Sequence, residues 1–194
     1  MIIKSFSHNE IKKSNSQFYL LYGENEGLKN EIIQKFFLND FQGELIRYDE
    51  NQILENKELF FEICLNESLF EKKKLIIISR VTAKLYEIIK DLSDRKVNDK
   101  KFIFNSKTLE KKSKIRQFFE KEKNLVCIPF YPDNNQTLIK IANLFCKEKK
   151  IPISYQTINI LVERCKGNRE NLNNELKKIE NFTKNKKILA RMIF

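Results

Sequence analysis

Two short apolar runs set the strongest limit on how this chain can fold. The sequence LIIIS at residues 75–79 and the sequence KFIF at residues 101–104 are nearly continuous apolar segments of strand length. Such runs are typical of strands covered on both faces, because a strand with one face in water alternates apolar and polar residues. A parallel β-sheet flanked by helices provides this burial.

Strand-like and helix-like segments alternate through the first two thirds of the chain. Five strands are predicted, at residues 18–22, 44–48, 74–79, 101–104 and 125–130. Helical spacing predicts helices between them, at residues 28–37, 56–70, 82–92 and 114–123. The alternation predicts an α/β fold with a parallel sheet, because a crossover between parallel strands needs a connection of helix length.

After residue 134 the pattern changes to helices alone. Helical spacing covers residues 135–148, 155–165 and 169–183, with Ser154 suited to an N-cap and Gly167 to the position beyond a helix end. Residues 1–132 are therefore predicted to form an α/β domain and residues 133–183 a small three-helix domain. Residues 184–194 show no clear periodicity and are predicted to be a ragged tail.

The charge balance favours a polyanionic partner without establishing one. The formal net charge is +11, which attracts nucleic acid, although a general bias towards Lys, Asn, Ile and Phe explains the lysines equally well. One basic stretch contains Lys107, Lys111, Lys112, Lys114 and Arg116. It can contact a DNA backbone, but a solvated helix face is the favoured interpretation because no aromatic residue is interleaved to stack on bases.

Membrane and metal functions find no support in the sequence. The apolar runs are too short to cross a bilayer, and the early charges predict no signal peptide, which points to the cytoplasm. Cys64, Cys127, Cys146 and Cys165 have no C-x-x-C spacing, and His8 has no ligand-type residue suitably placed. We therefore predict no metal site and expect the thiols to be buried.

The stretch at residues 18–36 follows the order of a phosphate-binding loop but not its details. A P-loop reads G-x-x-x-x-G-K-[ST], since glycines let backbone amides wrap the phosphates, Lys reaches them and the hydroxyl holds Mg²⁺. Counting from Gly23, Leu28 occupies the place of the second glycine and Gly27 comes one residue early. Lys29 is in place, whereas Asn30 replaces the hydroxyl residue.

An ATPase of this class also needs an acidic residue at the end of a later strand. The two apolar runs are followed by Arg80 and Asn105, so Asp49 with Glu50 is the only candidate. We therefore predict no nucleotide cofactor, and expect Lys29 at the surface or on the helix dipole. A divergent P-loop NTPase using Lys29 and Asp49 is one alternative, and a basic nucleic-acid-binding module is another.

Leu69 and Phe70 are adjacent large apolar residues directly before the charged sequence EKKK. They either pack under the edge of the sheet or protrude into a pocket of a partner protein, as interface hot spots do. Residue spacing alone leaves both roles open.

Four stretches, in this order, resemble the delta subunit of bacterial DNA polymerase III, the clamp-loader subunit that opens the sliding clamp. They are FYLLYGENEGLKNE, SLFEKKKLIIIS, KFIFNSKTLEKKSKIRQFFEKEKNLVCIPFYPDN and INILVERCKGNRENLNNELKKIENF. The resemblance implies an AAA+-like first domain without a working ATP site, followed by a lid domain. It further implies a role in DNA replication as a non-catalytic component of the DNA-directed DNA polymerase complex.

The resemblance also implies roles for individual residues. Ser68, Leu69 and Phe70 match the family's contact with the clamp, or beta subunit. Other clamp-loader subunits and primed DNA, bound non-specifically, are the further partners. Arg169 matches the position of a nucleotide-sensing Arg in AAA+ ATPases, but without a phosphate site we expect it to pair with a carboxylate. The tail does not resemble the family's collar domain, so we expect the collar to be absent and membership of the loader ring to be weakened.

Overall fold

A computed structural model describes residues 1–66, 73–95, 97 and 99–192, with the backbone alone for residues 186–192. The chain divides into two compact units. The first comprises Met1–Glu24 and Lys29–Phe130, and the second comprises Asn25–Leu28 and Tyr131–Phe194.

The first unit contains a five-stranded, all-parallel sheet, which confirms the predicted fold class. The strands are β1 (Phe18–Gly23), β2 (Glu44–Asp49), β3 (Lys74–Ser79), β4 (Lys100–Ser106) and β5 (Leu125–Phe130). Their order across the sheet is β2-β3-β4-β1-β5. All five predicted strands are present, and those that differ from the prediction extend it by one to three residues.

Burial along the strands explains why apolar runs in the sequence predicted the strands correctly. The four middle residues of β3 are buried, as are nearly all of β1, because these strands have neighbours on both sides. By contrast β2 lies at one edge and is half exposed, with Leu45 41% exposed. The few buried residues of β2 explain why it gave the weakest strand signal, whereas β5 at the other edge is nearly all buried.

The helices of the first 130 residues differ from the prediction mainly where single residues interrupt a helix. They are α1 (His8–Lys13), α2 (Glu26–Ile33), α3 (Glu50–Glu55), α4 (Lys57–Leu65), α5 (Tyr86–Asp94) and α6 (Lys114–Lys121). A π-helical turn, Gln34–Leu38, follows α2, and a 3₁₀ turn, Ala83–Leu85, precedes α5. Neither α1 nor α3 was predicted. Asn56 separates α3 from α4 because its side chain caps α4 by accepting from the Leu59 amide.

Aromatic side chains fill both faces of the sheet. On one face Phe18 stacks on Phe102 with ring centroids 5.0 Å apart, and Phe104 meets Phe119 of α6 at 5.9 Å. On the other face Tyr19 packs edge-on against Phe37, at 4.8 Å. Phe119 is fully buried, and its neighbour Phe118 packs against the same core.

All four cysteines are buried, as predicted. Burial raises the pKa of the Cys64 and Cys127 thiols to about 12, so both stay protonated and inert at neutral pH. Within the described residues, no group of three or more His, Cys, Asp or Glu side chains could hold a metal ion. No helix in that part of the chain combines the length and apolarity that a bilayer span requires.

The second unit contains three helices around a small apolar core. They are α7 (Asn135–Glu148), α8 (Tyr155–Cys165) and α9 (Arg169–Met192). Ser154 caps α8 by accepting from the Thr157 amide at 3.1 Å, and Gly167 follows the end of α8 with φ +78°, as predicted. The ragged tail predicted from residue 184 is wrong for the backbone up to Met192, because α9 continues that far. An amphipathic stripe is not required for a helix to continue, so the missing periodicity did not indicate its end.

We expect Gly23 to be indispensable to the first unit. Its φ is +128°, and a Cβ atom placed on it would lie 2.0 Å from the carbonyl oxygen of Phe130. Replacing it with Asn should cost about 2 kcal/mol or more in the free energy of unfolding, because strain and overlap combine. Gly167→Asn is the control, since Asn tolerates the left-handed conformation there and its loss should stay below about 1 kcal/mol. Equal losses in chemical denaturation of the two variants would contradict this.

Candidate functional site

Lys29, the predicted P-loop lysine, is buried completely and donates to groups of the protein itself. Its ammonium lies 2.9 Å from Asn105 Oδ1 and 2.8 Å from the carbonyl oxygen of Ser106. The expected position at the surface or on the helix dipole is therefore wrong. The physical reason is the strand order, because β4 lies beside β1 and its carboxyl end supplies the acceptors that a buried ammonium requires.

One of the amides at the start of α2 is already capped by the protein. Asn25 Oδ1 accepts from the Leu28 amide at 3.0 Å, which satisfies one of the free amides at the helix start. In a phosphate loop these amides and the positive end of the helix dipole would face the ligand. The first turn here also contains an acidic residue, Glu26.

Arg169 makes the carboxylate pair that we predicted, with Asp133. Its Nε and Nη2 donate to Asp133 Oδ2 and Oδ1, both at 2.7 Å. The two side chains are only 10% and 7% exposed. Asn25 Nδ2 donates to the same carboxylate at 2.9 Å and to the Tyr131 carbonyl at 3.0 Å. Asp133 therefore holds the guanidinium and amide groups that would otherwise be available to a phosphate.

The early glycine of the loop has a packing role. A Cβ atom on Gly27 would lie 2.8 Å from the Glu170 amide nitrogen and 3.2 Å from the Arg169 Cβ atom. Gly27 therefore lets the first turn of α9 approach closely, which explains a glycine one residue before its P-loop position. The sequence alone gave no sign of this contact.

Asp49 lies too far across the sheet to work with Lys29. β3 and β4 separate its strand from β1, which amounts to three interstrand spacings, or about 14 Å. Asp49 instead pairs with Arg80 and caps α3 by accepting from the Asn51 amide at 3.1 Å. The Arg80 guanidinium lowers the pKa of the Asp49 carboxyl, which keeps the pair charged. The two residues of the NTPase alternative are thus not brought together.

Glu50, the neighbouring acidic candidate, is buried and fixes a turn. Its carboxylate accepts from the Thr82 amide at 2.5 Å and from the Thr82 hydroxyl at 2.8 Å. Thr82 follows β3 after the left-handed Arg80, whose φ is +57°. Glu50 therefore holds the turn between β3 and the next helix.

The basic stretch at residues 107–116 divides into exposed lysines and one internal arginine. Arg116 donates to Glu120 Oε1 at 2.8 Å and to the Leu109 carbonyl at 3.0 Å, and its guanidinium lies 4.9 Å from the Tyr22 ring centre. Arg116 is thus held within the first unit. The lysines of the stretch are exposed, namely Lys107, Lys111, Lys112 and Lys114. Their contact with DNA stays a prediction.

The predicted clamp-contact residues Ser68, Leu69 and Phe70 lie outside the described residues. The helix before them ends at Leu65, and the strand after them begins at Lys74. Sequence reasoning missed three residues whose side chains hold the candidate site, namely Asn25, Asn105 and Asp133. Asn105 directly follows the apolar run at residues 101–104. Its position beside Lys29 could have been predicted if the strand order had been known.

Neutralising Asp133 should destabilise the second unit strongly. Asp133→Asn leaves the Arg169 guanidinium largely buried without its carboxylate, which typically costs about 3–5 kcal/mol. Asp91→Asn is the matched control, because it breaks the exposed Asp91–Arg95 pair and should cost less than about 1 kcal/mol. Chemical denaturation of both variants separates the outcomes, and a loss for Asp133→Asn no larger than the control's would contradict a structural role for the pair.

Comparison with known proteins finds likeness in fold. No protein-family model matches the chain, and no curated protein does. Among solved structures, the Bacillus subtilis DNA clamp loader delta protein (YqeN) matches with a TM-score of 0.52 and 18% identity, over 92% of this chain and 57% of that one. The Thermotoga maritima RuvB Holliday junction branch migration motor matches with a TM-score of 0.54 and 10% identity, over 87% and 56%.

A third match extends the same pattern. The replication initiator DnaA, bound to AMPPCP and single-stranded DNA, matches with a TM-score of 0.53 and 12% identity, over 89% of this chain and 58% of that one. The chain thus spans less than three fifths of the length of these proteins. What they share with it is the AAA+-like α/β fold with its all-parallel sheet.

Proposed function

We propose that this chain acts in DNA replication as a delta-type clamp-loader subunit, which binds a sliding clamp and favours its opening without catalysing a reaction. The observation that carries the proposal is the internal pairing of the two cations that an ATPase of this fold would direct at phosphate. Lys29 is bound by Asn105 and Ser106, and Arg169 by Asp133. The likeness to the clamp loader delta protein supports the same choice.

The energetics of these contacts argue against phosphate binding by either cation. A hydrogen bond to a charged group contributes about 1.5–3 kcal/mol, and a phosphate would have to break such bonds to reach Lys29. In the second unit, Arg169 is likewise bound by Asp133. We therefore favour an interaction function over phosphate chemistry.

The contact with the clamp is assigned to Ser68, Leu69 and Phe70. The elements on either side are firmly packed, since Phe60 and Cys64 of α4 are buried and β3 lies between two strands. A Leu–Phe pair offers two large apolar side chains for burial against a partner. Such a pair suits an apolar pocket at the centre of an interface.

The mechanism is a shift of equilibrium in the clamp. A bound subunit opens a closed ring only if its affinity for the open form exceeds its affinity for the closed form. In this account residues 1–132 bind the clamp, residues 133–183 form the lid domain, and ATP-hydrolysing partner subunits control when the contact surface is presented. Lys107, Lys111, Lys112 and Lys114 are the residues that we assign to non-specific contact with primed DNA.

Replacing Leu69 and Phe70 together with Ala should abolish clamp binding while leaving the fold intact. Truncation of hot-spot residues costs about 2–4 kcal/mol each, enough to lower affinity by a factor of about thirty to a thousand per residue. Leu45→Ala is the control, because Leu45 is an exposed apolar residue on the edge strand and should affect neither binding nor melting.

Clamp affinity and thermal melting are measured on the same preparation of each variant. If the pair belonged to the core, the double variant would lose several kcal/mol of stability and its melting temperature would fall with it. A collapsed melting curve, or unchanged clamp affinity, would show that the pair does not have the assigned role.

A further inference from the structure

The amino-terminal edge of the sheet carries an open groove lined by lysines, which we call the lysine groove. It has a volume of about 1410 Å³ and is formed by α1, the starts of the strands and the turns before them. Six lysines line it, namely Lys13, Lys73, Lys74, Lys100, Lys101 and Lys123. The carboxylates in its lining are Glu10, Asp40 and Asp99, so cations outnumber anions two to one.

Two of these lysines belong to a row of charges across three neighbouring strands. Lys74 of β3 is level with Glu44 of β2 on one side and with Lys100 of β4 on the other. Level residues on adjacent strands point to the same face, with backbones about 4.8 Å apart. The Lys74 ammonium lies 3.4 Å from Glu44 Oε2. The row therefore consists of one carboxylate and two ammonium groups. Among the described residues, no second carboxylate lies in the row beside Lys100.

Lys100 is only 6% exposed. Among the residues that the structure describes, no carboxylate or other acceptor is paired with its ammonium. An ammonium that is largely removed from water is stabilised by an anion beside it. Lys100 is one of the residues that line the groove, which is where such an anion can approach it.

Lys100 lies on the same face of the sheet as the buried Cys64 of α4. Residues two apart on a strand share a face, and Phe102 and Phe104 of β4 pack in the same core cluster as Cys64. Burial raises the pKa of the Cys64 thiol, and the charges of Lys100 and then Lys74 act in the opposite direction.

The groove begins close in sequence to the residues assigned to the clamp contact. Phe70 is three residues from Lys73, and three extended residues span at most about 11 Å. An interface of standard size covers about 800 Å² on each partner, which is wider than this distance. A protein that docks on Leu69 and Phe70 therefore reaches Lys73 as well.

We propose that the lysine groove receives a carboxylate-bearing segment of the protein partner that docks on Ser68, Leu69 and Phe70. This inference rests on the proposed function, and it adds that the partner's surface is acidic beside its apolar pocket. Lys100 and Lys74 bind the carboxylate, while the exposed Lys13, Lys73 and Lys123 attract the partner and speed association.

The lining favours a carboxylate over a nucleic-acid backbone. The four phenylalanines that line the groove are buried or half-buried, so they offer no face for base stacking: Phe18, Phe36, Phe37 and Phe41. The three acidic residues of the lining would repel a continuous polyanion. Lys74 already binds one carboxylate, that of Glu44, which shows that its setting suits this group.

The test compares Lys100→Gln with Lys90→Gln, an exposed lysine of α5 outside the groove. Affinity for the sliding clamp of the same organism is measured at about 50 mM and about 500 mM salt, together with thermal melting. Lys100→Gln should lower clamp affinity about tenfold at low salt and much less at high salt. Its melting temperature should be unchanged or raised, because an uncompensated charge is removed. Lys90→Gln should change neither quantity.

Clamp affinity that is equal in Lys100→Gln and in the original chain would overturn the inference while leaving the proposed function standing. Together with that result, a lowered melting temperature of Lys100→Gln would mean that an anion of the chain itself pairs with Lys100. Loss of oligothymidylate binding in the same variant would instead assign the groove to nucleic acid.

Failure of the proposed function gives a different result. The original chain would then show no clamp binding at either salt concentration, and titration with hexaglutamate separates the two claims. Hexaglutamate binding that is lost in Lys100→Gln would support the groove as a carboxylate site even then. If neither hexaglutamate nor the clamp bound, both the groove proposal and the proposed function would be contradicted.

Discussion

A cation that is removed from water must have an acceptor, and this requirement shapes the candidate site. Lys29 finds its acceptors at the carboxyl end of β4, and Arg169 finds a carboxylate in Asp133. Because the protein's own groups occupy these donors, the loop after β1 serves packing: Gly23 lies against Phe130, and Gly27 against the start of α9.

The two edges of the sheet contrast in how their charges are satisfied. At the carboxyl edge, where open α/β sheets usually bind ligands, Lys29, Arg80 and Arg116 each contact an acceptor within the first unit. At the amino edge, Lys100 has no anion among the described residues. This distribution moves the expected interaction surface from the carboxyl edge to the amino edge, the side on which β3 begins after the Ser68–Phe70 segment.

The sequence predicted the elements of the fold far better than the contacts between them. Apolar runs identified all five strands, since burial on both faces leaves a plain signature, and capping residues such as Ser154 marked the helices of the second unit. The hydrogen-bond acceptors of Lys29 depend on which strand lies beside β1, and no local sequence pattern encodes strand order. For the same reason Asn105 and Asp133 were missed, since each acts through a partner at least 36 residues away. Arg169 was predicted correctly because a buried guanidinium without phosphate has few alternatives to a carboxylate.

The most direct test of this account is a calorimetric titration of the chain with Mg-ATP. If Lys29 and Arg169 are held by internal acceptors, no saturable binding should appear below about 1 mM nucleotide, which corresponds to less than about 4 kcal/mol of binding free energy. Lys29→Met, shown by its melting curve to be folded, provides the comparison. Micromolar binding by the original chain that disappears in Lys29→Met would show that the lysine reaches phosphate, and would contradict the central claim.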